Sequence, residues 1–324
     1  NWSQLANYEE ATVTTYNDAP NNAPRAVISG NNVTFPSPNN IFDGTDYLVI
    51  KSASVARNYA AGKWTTLSAG DVKRVWTPER ENVNKRDDGT TNNNVRVIVI
   101  SPGASGTDQQ ALVAIGTSDP RVYRTTYNNT ASFAPSTTES ITRLIYGVDP
   151  DTDLRMPFNR ADYFIRRFDS GGANITPGRC APNTGILEKA TVNQNGGGFT
   201  YLPLLDCVAD MQVIYALDNN EDGSFDPSDP ADGYSDDITT APLTAQQIRK
   251  RVKQVRVYIL SHEGQRDTNY TYCPSSAASC STAFPVGEFE LGSTFDLTTK
   301  IGNPDYKYYR WKLYTIVVTP HNLE

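Results

Sequence analysis

Only two histidines, His262 and His321, and four cysteines occur in the 324 residues. No apolar run is long enough to cross a membrane. With so few imidazoles and no Cys-x-x-Cys spacing, zinc is not expected. The sequence also lacks Gly-x-Ser-x-Gly, a P-loop and a dinucleotide fingerprint, and His262-Glu263-Gly264 does not extend to His-Glu-x-x-His. Nothing supports a Ser-His-Asp site, so catalytic residues are assigned to none and no enzyme activity is expected. A basic tract is missing as well. The net charge of −7 argues against a nucleic-acid partner. Basic residues cluster only at Arg249, Lys250, Arg251 and Lys253, which read as a solvated face of a short helix rather than a phosphate site. No signal peptide follows Asn1, and no methionine precedes it. The expectation is that a preceding segment has been removed.

What is present is a β-rich pattern, with 18 tyrosines and with 22 glycines and 20 prolines marking the turns. Extended segments are expected at Tyr47–Lys51, Val95–Ile100, Ala111–Ile115, Ser140–Val148, Tyr163–Phe168, Gly185–Val192, Val255–Leu260 and Tyr306–Val318. Lys63–Leu67 is expected to pair with the first of these. Pro78–Asn94 reads as an exposed loop. A helix is predicted at Pro203–Leu217, because Leu204, Val208, Met211 and Tyr215 recur at helical spacing with Asp206, Asp210 and Gln212 between them. Pro203 suits its first turn. Thr244 and Gln247 form the capping box of a second helix ending near Val252. Antiparallel strands with a few short helices give the class α+β. Residues 1–140 are expected to form a β-rich N-terminal lobe, and residues 141–324 a second lobe.

Cys180, Cys207, Cys273 and Cys280 are expected to form two disulfides, and sequential pairing is the simplest of three connectivities. On a chain-entropy model Cys180–Cys207 contributes ~3.6 kcal/mol and Cys273–Cys280 ~2.5 kcal/mol. Paired cysteines imply the periplasm or the cell exterior. Directly after the predicted core helix comes a run of oxygen-bearing side chains. Asp218, Asn220 and Asp222 fall at positions one, three and five of a calcium loop, with Gly223 at the turn. Ser224 would offer its carbonyl at seven, Asp226 falls at nine and Asp229 at twelve. A hard cation needs six to eight oxygens, and a curled loop can gather them. Position twelve is ordinarily a bidentate Glu. Asp229 is shorter, and Asp232, Asp236 or Asp237 would serve instead by folding back. A structural Ca2+ is therefore expected. The competing reading is a hydrophilic turn without metal.

Several segments together resemble the PilW family, minor pilins of the type IV pilus related to the J pseudopilins of type II secretion. They are Met156-Pro157-Phe158-Asn159-Arg160-Ala161-Asp162, Leu204–Val213 with the acidic loop, Arg256–Leu260 with His262-Glu263-Gly264, and Tyr309–Tyr314. The likeness covers Arg143–Leu323. It implies a pilin-like head domain that takes part in pilus assembly at the fibre tip. Other minor pilins, the major pilin and a tip adhesin would be its partners. The protein would lie in the inner membrane and periplasm before assembly and in the pilus fibre on the cell surface afterwards. A prepilin also carries an N-terminal membrane helix, which this sequence does not include. The expectation is a globular domain whose anchor helix lies outside it. The alternative is a secreted calcium-dependent carbohydrate-binding adhesin module, and a secreted hydrolase comes third.

Overall fold

The computed structural model describes residues 24–34, 41–102, 110–116, 122–239, 243–272, 281–302 and 305–320. In chain order the first strands are β1 (Val27–Val33), β2 (Thr45–Ser52), β3 (Trp64–Ser68), β4 (Val72–Lys73), β5 (Arg96–Ser101), β6 (Ala111–Leu112), β7 (Arg124–Thr126) and β8 (Arg143–Asp149). They continue with β9 (Asn159–Arg166), β10 (Gly185–Val192), β11 (Phe199–Leu217), β12 (Gly233–Ser235), β13 (Val252–Glu263), β14 (Ala283–Val286), β15 (Ser293–Asp296) and β16 (Arg310–Val318). Two α-helices occur among the described residues, α1 (Ala245–Arg251) and α2 (Leu297–Lys300). None is long and apolar enough to cross a membrane.

The chain divides into two compact units. One comprises Asn1–Ala26, Ile50–Ala161 and Thr191–Thr200, the other Val27–Val49, Asp162–Ala190 and Tyr201–Glu324. In the first unit a six-stranded sheet runs β4-β3-β8-β5-β6, with β7 also beside β5. The Val-Ile-Val-Ile run of β5 is buried on both faces. Ile98 and Ile100 pack with Leu154, Met156 and Phe158, while Val97 and Val99 pack with Leu67, Phe133 and Ile145. Side chains that alternate at period two must each find cover, so an unbroken apolar run marks a strand enclosed above and below. The segment expected to pair with β2 pairs elsewhere: Trp64 lies opposite Tyr146 of β8 and Leu67 opposite Arg143. In the segment expected to be a loop, Asn82 and Val83 are buried. The Asn82 side chain accepts the Trp76 N–H at 2.7 Å and donates to the Glu79 carbonyl at 2.8 Å.

In the second unit lies most of an eight-stranded sheet in the order β1-β2-β9-β10-β11-β13-β16, with β12 also on β11. Here the α+β expectation is corrected. Strand takes 42% of the described residues against 8% helix, so the scaffold is β-rich, and the α+β pilin fold expected from the sequence is not what the structure shows. The predicted helix Pro203–Leu217 is part of the long strand β11. Every residue from Cys207 to Leu217 is buried. Val208 and Met211 pack with Ile165, Leu187 and Ile259, while Ala209 and Ile214 pack with Tyr258, Leu260 and Phe295. A doubly covered strand has no solvent face to report its period, so its apolar positions fit helical spacing by coincidence. Antiparallel pairing with β13 sets Met211 opposite Ile259 and Ile214 opposite Arg256. The register shifts between Val208 and Asp210, next to Cys207 in the left-handed region at φ 58°. A local bulge there turns the strand.

The capping box forms as expected. Thr244 Oγ1 accepts the Gln247 N–H at 3.2 Å and Gln247 Oε1 accepts the Thr244 N–H at 2.9 Å. Arg249, Lys250 and Arg251 occupy the last turn of α1, where the helix dipole favours cations.

Truncating Met211, fully buried in β11, to Ala should cost about 2–5 kcal/mol in denaturant unfolding. Leu204→Ala, at a position 48% exposed, should stay within about 0.5 kcal/mol. Equal losses at both positions, which a buried helical stripe requires, would contradict the strand.

Candidate functional site

Three groups of polar side chains are concentrated in the second unit: the acidic loop after β11, the disulfide with His262, and a buried carboxyl pair. The loop contains all six predicted ligands. Asp218 is completely buried at its entrance, where its carboxylate accepts the N–H groups of Asp222 at 3.2 Å and Gly223 at 2.9 Å. Gly223 takes φ 102°, a conformation that costs glycine little. Asn220 Nδ2 donates to Asp222 at 3.3 Å and Asp229 at 2.9 Å. Ser224 donates both its N–H and hydroxyl to Asp222, each at 3.0 Å. Hydrogen bonds from Ser224 hold the Asp222 carboxyl below its ordinary range, and those from Ser228 do the same for Asp226. Asp232 also folds back, accepting the N–H groups of Asn219 at 3.1 Å and Asp226 at 2.8 Å.

The basic run of α1, read from sequence as a solvated face, reaches this loop. Arg251 pairs with Glu221 at 2.9 Å and Lys250 with the same carboxylate at 3.3 Å. These bonds, Arg251 first, lower the Glu221 pKa. Lys253 approaches the buried Asp218 at 3.5 Å.

The disulfide Cys180–Cys207 is formed. Cys273 and Cys280, expected as the second pair, lie outside the described residues, as does His321. His262 on β13 is buried against the bridge, and its Nε2 accepts the Ala181 N–H at 2.8 Å. Its ring packs on Tyr309 and Trp311. Among the described residues, one group of three His, Cys, Asp or Glu ligand atoms falls within 4.8 Å, and it is Cys180, Cys207 and His262. Both sulfurs are spent in the bridge and offer no thiolate, so this trio is structural. Burial depresses the His262 pKa to about 4, and the imidazole is neutral at pH 7.

Sequence reasoning missed the third group. Asp210 and Gln212, placed on a helical polar face, are buried in β11, and Asp46 is buried in β2. Asp46 accepts the N–H of Asn32 at 2.7 Å and that of Val213 at 2.7 Å. Gln212 Nε2 donates to Asn32 at 3.0 Å and to Asp210 at 3.1 Å, and Ser293 donates to Asp210. Burial raises the Asp46 pKa to about 8 despite the two backbone bonds, and raises Asp210 as well. The signal that could have revealed them is the β-branched content of Val208, Val213 and Ile214, which favours a strand.

The family model described as Type IV Pilus-assembly protein W matches residues 162–319, just under half of the chain. The disulfide, acidic loop, α1, β13 and β16 all fall inside the match, which supports the PilW family. No curated protein and no solved structure matches.

Removing the bridge by Cys180→Ser with Cys207→Ser should lower stability by about 3.6 kcal/mol on the loop-closure model, measured by denaturant unfolding. In chelator, two opposed pH limbs are expected. The depressed His262 stabilises the fold fully above its unfolded pKa of about 6.5, and that contribution disappears as pH falls through about 4. The raised Asp46 contributes fully below its unfolded value of about 3.9, and its contribution is lost as pH rises through about 8. His262→Gln, which keeps an acceptor for Ala181, should flatten the acid limb, and Asp46→Asn the alkaline one. Unchanged slopes between pH 4 and 9 would contradict both assignments.

Proposed function

We propose that this chain is the head domain of a minor pilin that takes part in type IV pilus assembly and initiation near the fibre tip, acting through protein–protein contacts. The observation that carries the reading is the family match over residues 162–319. Its partners are other minor pilins, the major pilin and a tip adhesin. It resides in the inner membrane and periplasm before assembly and in the fibre on the cell surface afterwards.

A feature of the matched region supports a contact role. Strand β16 ends the sheet order, with β13 its partner among the described residues. Near its C-terminal end Ile316, Val317 and Val318 are 49%, 47% and 50% exposed. Successive strand residues point to opposite faces, so this edge is apolar on both. Exposed edges are commonly blunted by charge; in β16 the charges, Arg310 and Lys312, lie toward the other end, and Leu313–Val318 carries none. It suits a neighbouring pilus subunit that covers the apolar residues or adds a strand.

The acidic loop is assigned a structural calcium, with Asp218, Asn220, Asp222, the Ser224 carbonyl, Asp226 and Asp229 as ligands. The donor chemistry fits, because all six are hard oxygens on one loop, and since no three of its carboxylates lie within 4.8 Å of one another the ion would draw them together. The Asn220 amide nitrogen sits between two carboxylates, where positive charge is required. Once bound, the ion would neutralise the loop carboxylates and tie β11 to the chain that follows, with no ligand position assigned to chemistry.

Ile316→Lys combined with Val318→Lys should leave the unfolding free energy within about 0.5 kcal/mol, since both sites are exposed, yet reduce surface pili in a complemented deletion strain. Sheared-pilus immunoblots at the parental level would refute this use of the edge. Calcium at a hundredfold excess over Kd should add about 2.7 kcal/mol of stability. Asp222→Asn with Asp229→Asn should reduce that gain in thermal unfolding, and the same gain in the variant would remove the loop assignment.

A further inference from the structure

The buried carboxyls Asp46 and Asp210 have no ion-pair partner among the described residues. Lys300 acts on Asp210 only from beyond ion-pair distance. An ionised carboxylate held away from water costs several kcal/mol unless charge is supplied to it. The two also repel each other, with Asp236 adding to the repulsion at Asp46. Backbone and hydroxyl donors supply partial charge, but no full positive charge sits among them. A cavity of about 420 Å3 reaches this place and is lined by Asn32, Thr45, Asp210, Ser293 and Lys300, among others.

A second, independent observation concerns Gln212. Its side chain is fully buried and its Oε1 has no hydrogen-bond partner, although a buried carbonyl oxygen ordinarily finds one. The same carboxamide directs Nε2 at two oxygens, Asn32 Oδ1 and Asp210 Oδ1. One amide nitrogen therefore holds the point where those oxygens converge, while the amide oxygen is left idle. Rotating the amide would supply a third oxygen to that point. It would also be repulsive there unless a cation took the nitrogen's place. Every donor at the point is then a hard oxygen, with neither imidazole nor thiolate among them, and such a set selects calcium-type ions over zinc or copper.

We propose that Asp210, Asn32, Gln212 and Ser293, backed by Asp46, form a buried site for a divalent calcium-type cation that enters through this cavity. It is separate from the acidic loop and does not depend on that assignment. Bound water in the cavity completes the coordination, and the Lys300 side chain, which is exposed, swings out to solvent.

Calcium chloride is titrated calorimetrically into the chelator-stripped full chain, with folding checked by circular dichroism. The loop double variant Asp222→Asn/Asp229→Asn, whose substitutions lie outside the core, should retain one bound calcium per chain. Adding Asp210→Asn should abolish that remaining equivalent. A loop variant that binds no calcium would overturn the proposal, and so would an Asp210→Asn protein that binds as many ions as its parent. If Asp210→Asn fails to fold, the count on the loop variant decides alone. Failure of the loop assignment would appear separately, as wild type and loop variant binding the same number.

Discussion

Burial of β11 on both faces is the constraint around which the second unit is arranged. Side chains of a strand alternate, so a run enclosed from Cys207 to Leu217 requires two covers. One comes from Ile165, Leu187 and Ile259, the other from Tyr258, Phe295, Leu297 and Trp311. Strand β13 serves both, since neighbours Tyr258 and Ile259 point to opposite sides. Its own outer edge then needs β16, which lies in antiparallel register from Val255–Val318 to Glu263–Arg310. The same enclosure takes Asp210 and Gln212 out of water, and a buried polar group must be hydrogen-bonded. Asn32, Asp46 and Ser293 are drawn to the strand for that reason.

Acidic charge is handled in two different ways. In the loop after β11, hydrogen bonds from Ser224 and Ser228 hold Asp222 and Asp226 below the ordinary carboxylate range, and Arg251 with Lys250 does the same for Glu221. Such exposed pairs contribute modestly to stability, and their effect is chiefly to fix the loop against α1. Asp46 and Asp210 are buried, their hydrogen bonds do not offset desolvation, and the pKa of each rises. Carboxylates of the loop are thus favoured in the ionised form, while the two buried carboxyls are pushed toward the protonated one.

The features on which the proposed role in pilus assembly rests lie within the matched stretch. The disulfide anchors the middle of β11 to the segment before β10, the loop leaves its end, and α1 returns the chain into β13. The apolar rim of β16 is therefore carried on a sheet whose centre is locked from two directions. A docking surface benefits from such rigidity, because little conformational freedom is then lost on contact.

Much of this was readable from residues alone, where the deciding interactions are local. The capping box needs only Thr244 and Gln247 at the right spacing, and β5 announces itself by Val-Ile-Val-Ile between turn residues. The Cys180–Cys207 pair was the simplest partition, and it is the one formed. The PilW resemblance rested on local strings that fall largely inside the matched region. The nature of β11 was not readable, because helix and doubly buried strand share an apolar composition and only the partners β10 and β13 distinguish them. Nor was the role of Asp46 and Asp210, separated by most of the chain's first two-thirds. Sequence determined which segments are apolar and which turn, since those depend on near neighbours. Tertiary structure alone decided which polar residues lose their water, since desolvation depends on what the rest of the chain places around them.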